Sequence, residues 1–228
     1  MAAASAAVEH GFSAEGLRDL LAVVNSSRGL DEILDYLVVQ AQTMLGSDAV
    51  SLYLRDRENP QLLRVKAAHG IPSELLHPWA AVGTPIAGLP VTTRRTVVLA
   101  DHLAANTRAC AERVEDQVEE RGAFLEVTRP GPFTAGDPAQ HELNQRMAAR
   151  FRTIAAVPLV ARDEVYGSML LYYTAPNAYG PDHVDFGLAF AQQAALAIEN
   201  ARLRAQAEQR LAEIERRRSV WGASSCRR

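Results

Sequence analysis

The sequence predicts a mixed α/β (α+β) domain: a central antiparallel sheet with helices on both faces and a long helix at the C-terminal end. Three observations carry this expectation. Two apolar runs, Ile154 to Val160 and Val165 to Tyr173, are rich in β-branched and aromatic residues and flank a polar turn, Arg162-Asp163-Glu164, which is the pattern of a β-hairpin. From Pro181 an Ala- and Leu-rich stretch continues to about Arg218. Upstream, Ile33, Leu34, Leu37, Val38, Ala41, Met44 and Leu45 recur at helical spacing just before a strand-like run.

Composition narrows the class. With 228 residues, 48% of them hydrophobic, the chain can bury one domain and still carry appendages. The net charge is −3 and Lys66 is the sole lysine, so no broad basic surface is expected and no nucleic-acid partner. Arg216-Arg217-Arg218 reads as the solvated face of a helix end. Two cysteines, Cys110 and Cys226, are too few for a disulfide framework and suit a reducing cytoplasm. No apolar stretch reaches the ~20 residues of a membrane helix, and MAAASAAVEHGF lacks a basic segment followed by an apolar core. The expectation is a cytoplasmic protein without a membrane partner.

Taken in order, residues 1–12 are Ala-rich and expected to fray. Ser13 can cap a helix carrying Leu17, Leu20, Leu21 and Val24 on one side. Asp31 is the expected cap of the next helix and Gly46 its stop. Ala49 to Leu54 and Leu62 to Ala68 are strands joined by the polar DRENPQ. Short helices are expected at Pro72–Trp79 and Ile86–Arg95, then a strand at Thr96–Ala100.

Residues 101–150 read as a helical insertion. Cys110, Val114 and Val118 fall at i, i+4 and i+8 among acidic residues, an amphipathic helix. After PGPFTAGDP a second helix follows, with Asp137 as cap, Pro138 at its first position, and Leu143, Met147 and Phe151 every four residues. Both stripes need a surface to cover, and the insertion is expected to act as a lid over one face of the sheet.

The last helix is longer than its domain. From Pro181 to Arg218 it would span ~55 Å at 1.5 Å per residue, against roughly 40 Å for a domain of ~150 residues. Its overhang still carries Leu203, Ala207, Leu211 and Ile214, and exposed apolar stripes normally meet a partner. A homodimeric bundle is expected, with Leu17, Leu21, Leu196, Asn200, Leu203, Ala207 and Ile214 in the interface; Arg210 and Arg217 weaken a strict two-stranded coiled coil. The division is therefore 1–12 disordered, 13–203 domain, 204–220 projecting helix and 221–228 disordered tail.

Several segments, AAVPL at 155–159, the Val165-Tyr166-Gly167 of the following strand, QQAALAIENARL at 192–203 and LDEILDYLVVQAQTMLGSDAVSLYLRD at 30–56, resemble the GAF domain family of ligand-binding and signalling modules. The resemblance covers roughly Leu17 to Leu203. It implies a sensor without catalysis whose C-terminal helix leads to a kinase, a cyclase or a second GAF or PAS domain. It leaves the ligand and any cofactor unknown, because fold does not fix function.

Alternation along the strands places a ligand pocket. Val50, Leu52, Leu54, Val165, Met169 and Leu171 form an apolar face for the long helices. Ser51, Tyr53, Ile154, Ala156, Pro158, Ser168, Leu170 and Tyr172 form the other, a mixed lining that suits a small molecule, with Cys110 brought near it by the insertion. The alternative is that Val118, Phe124, Leu143 or Met147 fills the space, leaving a module that only dimerises. No histidine pair at i, i+4 and no Cys-His cluster suggests a metal centre. His102 or His141 could reach the pocket as the single haem ligand that some family members use, or be an ordinary satisfied histidine. Cys110 is followed by Ala111 rather than the histidine usual in bilin-binding members, so it reads as a small buried hydrophobe. Members that reduce free methionine sulfoxide resolve a sulfenic acid with a second cysteine. A redox enzyme of that kind would need a second thiol near Cys110, and Cys226 lies far away in sequence. No catalytic residue is assigned.

Overall fold

The computed structural model describes residues 29–105, 117–129 and 138–225. One sheet runs through it: β1 Ala49–Arg55, β2 Leu62–His69, β3 Trp79–Ala81, β4 Thr96–Leu99, β5 Gln117–Arg121, β6 Phe124–Arg129, β7 Thr153–Ala161 and β8 Glu164–Tyr173. Their order is β3-β2-β1-β8-β7-β4-β6-β5. The pairs are antiparallel except β4–β6, which is parallel. The helices are α1 Leu30–Leu45, α2 Leu89–Thr93, α3 Pro138–Arg150 and α4 Pro181–Ser225, with a 3-10 turn at Ser73–Leu75.

The β7–β8 hairpin forms because Arg162 and Asp163 both adopt positive φ, 45° and 66°, the two-residue turn whose twist matches that of its strands. Its alternating side chains separate two cores. Ala155, Val157, Leu159, Met169, Leu171 and Tyr173 join Val50, Leu52 and Leu54 against the buried stripes of α1 and α4. Ile154, Ala156, Leu170 and Tyr172 join Tyr53, Val97 and Leu99 in a second core under Leu75, Ile86, Val91, Met147 and Phe151.

Val165 is the exception to the expected sorting. The pairing shifts between Leu159, opposite Gly167, and Val160, opposite Val165. The extra residue, Tyr166, inverts the alternation, so Tyr166 joins the helix-side core and Val165 the opposite one.

Other differences from the sequence reading have local causes. Gly29, not Asp31, is the cap residue of α1; Asp31 lies in the first turn with Glu32, where carboxylates complement the helix dipole. Gly46 ends α1 with φ 60°. Helix at 72–79 contracts to the 3-10 turn, and Trp79 enters β3 instead; helix at 86–95 contracts to α2. Val118 lies in β5 opposite Val127, not on a helix. Gly122 at φ 59° makes the turn to β6, a hairpin signal that the four-residue spacing with Val114 overrode. Cys110 and Val114 lie outside the described residues, as do Leu17 and Leu21. The described part of the insertion thus extends the sheet through β5 and β6, and its α3 joins the 3-10 turn, the loop after it and α2 over the second face. α4 continues to Ser225, so residues 221–225 of the expected tail are helical.

Gly167 is required by the spacing of β1 and β8. A Cβ there would sit 1.9 Å from the Tyr53 carbonyl oxygen and 2.9 Å from the Leu54 Cα, both backbone atoms that cannot swing aside. Gly167→Ala should therefore push the two strands apart and destabilise the fold by about 2 kcal/mol or more. Urea unfolding checks this; an unchanged midpoint would show that the pair adjusts freely.

Candidate functional site

A cavity of about 330 Å3 lies between the second face of the sheet and its cover. Its floor is Tyr53 of β1, Leu99 of β4, Ile154 of β7, and Leu170 and Tyr172 of β8. These meet because Leu99 pairs with Ile154, Ile154 with Tyr172, and β1 runs beside β8 in register. The wall is the strand and loop from His77 through Trp79–Ala81 to Thr84–Ala87, and the cover is His102 with Asn144 and Met147 of α3.

Hydrogen bonds tie these layers together. The Tyr53 hydroxyl donates to the His77 carbonyl at 2.7 Å, and His77 Nε2 lies 3.2 Å from Asn144 Oδ1. Floor, wall and cover are thereby linked in sequence. The Ser168 hydroxyl donates to the Ala87 carbonyl at 2.7 Å, anchoring the wall to β8. Ser51 and Tyr172 share a hydrogen bond at 2.9 Å. Behind His102, the Arg152 guanidinium holds Asp101 at 2.7 Å and the His102 backbone N–H donates to the Arg152 carbonyl at 2.6 Å.

Of the residues expected to line the pocket, Tyr53, Ile154, Leu170 and Tyr172 do so. Ser51 and Ser168 are buried beside it and serve as ties; Ala156 packs in the surrounding core without reaching the space. Cys110 and the side chain of His141 lie outside the described residues. Met147 borders the cavity without closing it, and Phe124 belongs to the helix-side core. The sequence reading missed the whole wall. The signal for it was GTPIAGLP, where closely spaced Gly and Pro oppose a helix and Ile86 adopts φ 68°.

The lining is electrically neutral. No Lys, Arg, Asp or Glu lies among its described residues. Burial lowers the His77 imidazole, with the Asn144 contact opposing. Burial likewise brings His102 down to about 4, with Phe151 opposing, His77 adding to the effect and Asp101 resisting it. Burial raises Tyr53 and Tyr172 far above neutrality.

Both histidines bind fewer protons folded than unfolded. Below about pH 6.5 the unfolded chain gains protons that the fold refuses, so stability is full above that pH and declines as pH falls toward 4. For His102 the shift corresponds to at most about 3 kcal/mol. Urea midpoints should fall between pH 7 and 4, and His102→Leu should flatten that fall. Parallel falls in both proteins would place the acid sensitivity elsewhere.

No curated protein matches the chain by sequence. Among solved structures, the GAF domain of an Acinetobacter phosphoenolpyruvate-protein phosphotransferase superposes with a TM-score of 0.56 at 20% identity, covering 84% of this chain and 97% of that one. Free methionine-R-sulfoxide reductase from Neisseria meningitidis, solved with its substrate, gives 0.55 at 14% identity over 85% and 95%. A GAF domain/HD domain protein from Geobacter sulfurreducens gives 0.51 at 16% identity over 81% and 98%. At these identities the likeness speaks for the fold. The family model for the GAF domain matches residues 29–198, from the start of α1 well into α4, and by that match over most of its length the chain belongs to the GAF domain family.

Proposed function

We propose that this chain is a regulatory GAF module that binds a small molecule in the cavity and passes the bound state to α4, which bundles with a second copy. The observation that carries this reading is the double-sided use of β8. Leu170 and Tyr172 line the cavity while Met169 and Leu171, between and beside them, belong to the helix-side core together with Ala155 and Val157 of β7, the neighbouring strand on which α4 packs. A ligand that shifts the strand shifts the seat of the helix, and a ligand acts only through such differential contacts.

The free half of α4 supports the output side. Through residue 217, Ala201 is the last buried residue of the helix, and residues 202–225 extend about 36 Å beyond it. Leu203, Leu211 and Ile214 are 48%, 60% and 54% exposed, and Ala207 is exposed beside them. Leu196 is partly consumed by the chain's own core, which moves the expected interface toward the free half. A kinase, a cyclase or a further GAF or PAS domain would be the natural recipient of the signal. Among the described residues no helix is long and apolar enough to cross a membrane, and we place the module in the cytoplasm.

We read the module as non-catalytic. The rival, a small-molecule redox enzyme, rests on fold likeness to a reductase and would need Cys110 and Cys226 close together at the cavity. The other rival, a module that only dimerises, is disfavoured by the open space beneath Met147.

Native mass spectrometry tests both halves at once. The purified protein should fly as a dimer carrying a small-molecule adduct, and the double variant Leu203→Glu, Ile214→Glu should become monomeric while keeping the adduct. A monomeric parent would remove the bundle. A dimer that never carries or accepts a small molecule would leave the dimerisation module as the better reading.

A further inference from the structure

The pocket reading leaves the ligand open, and the chemistry of the lining narrows it. An ion entering this cavity would lose its water and meet no described counter-charge, a transfer that is strongly unfavourable. Among the described residues a carboxylate or phosphate finds no cation there, and an ammonium finds no carboxylate. Trp79, 44% exposed, supplies ring surface in the wall, and Tyr53 and Tyr172, each 2% exposed, lie in the floor. These surfaces favour a flat ring stacked or packed edge-on. At about 330 Å3 the space is at the small end of the ~300–1,000 Å3 typical of ligand pockets, which suits one or two rings.

The polar groups are not equivalent. His77 is engaged through Nε2 with Asn144, Ser168 with Ala87, and Tyr53 with the His77 carbonyl. His102 differs: it lines the cavity, it is 3% exposed, the Phe151 backbone favours a proton on its ring, and its buried Nδ1 has no hydrogen-bond partner among the described residues. A neutral imidazole has one donor and one acceptor, and buried polar atoms in folded proteins are almost always paired. Asp101, the carboxylate next to it in the chain, is turned to Arg152 and so does not supply that pair.

We infer that the cavity takes an uncharged, largely aromatic molecule of one or two rings whose hydrogen-bonding group meets the imidazole of His102. The inference rests on the pocket reading above and specifies its ligand class. His102 then reads a polar substituent, and the tyrosines and apolar floor read the ring. The lining, which holds no charged side chain among the described residues, rejects acidic and basic metabolites of the same shape.

Three probes test it by calorimetry on the full chain at pH 7: indole, benzofuran and indole-3-carboxylate. Indole should bind, benzofuran, which lacks the N–H, should bind about tenfold more weakly, and the carboxylate should be weaker than indole by tenfold or more. In His102→Leu the indole and benzofuran affinities should converge, and His102→Gln, which keeps an acceptor, should retain part of the preference. The comparison in the parent needs no variant, so it stands even if a substitution unfolds the protein. Equal binding of indole and benzofuran by the parent would remove His102 from recognition while leaving the pocket in place. Preference for the carboxylate, or binding of none of the three, would overturn the neutral ring class, and the adduct seen by mass spectrometry would still decide whether a pocket ligand exists.

Discussion

The alternation of side chains along β7 and β8 constrains where every other element can lie. Each strand is buried on both faces, so each presents two different sets of residues, and each set needs its own cover. Val157, Leu159, Met169 and Leu171 are uniformly apolar and accept the stripes of α1 and α4 in a dry core. Ile154, Leu170 and Tyr172, with Tyr53 beside them, are mixed, and their cover of loop, 3-10 turn and α3 leaves a space. Close packing on one face and incomplete packing on the other follow from the same alternation.

That division makes the sheet a mechanical link. In the proposed reading, movement on the cavity side reaches α4 through β7 and its neighbour β8, and the spacing of that layer is fixed by contacts that tolerate little change, such as Gly167 against the Tyr53 carbonyl. The network from Tyr53 through His77 to Asn144 joins floor, wall and cover by hydrogen bonds. A ligand that competes for His77 or Asn144 would loosen α3, and one that leaves them intact would lock it. Either effect reaches β1 through Tyr53 and hence the neighbour of β8.

The sequence made the fold legible wherever burial imposed a period. The stripe of α1, the hairpin with its Arg162-Asp163 turn and the stripe of α4 are strong periodic signals, and their elements lie where they were expected. The site was legible only where it shared that period, at Tyr53, Ile154, Leu170 and Tyr172. Its wall has no period, since the backbone from His77 to Ala87 is set by Gly, Pro and a left-handed Ile86 rather than by which face is buried. Val165 went to the wrong face because one extra residue at Tyr166 inverts the alternation, and a bulge leaves little trace in the pattern of apolar residues. Val118 was misplaced because a four-residue spacing among acidic residues fits a helix as well as a strand beside a Gly122 turn.

The central claim is that the second face of the sheet carries a neutral, ligand-sized space rather than a filled core. A crystal structure of the purified protein tests it most directly. The account predicts density for a small uncharged molecule, or an open cavity, bounded by Leu170, Tyr172, His102 and Met147, with His77 still bonded to Asn144. Met147 and Trp79 folded inward onto Tyr172, with no room left between them, would contradict it.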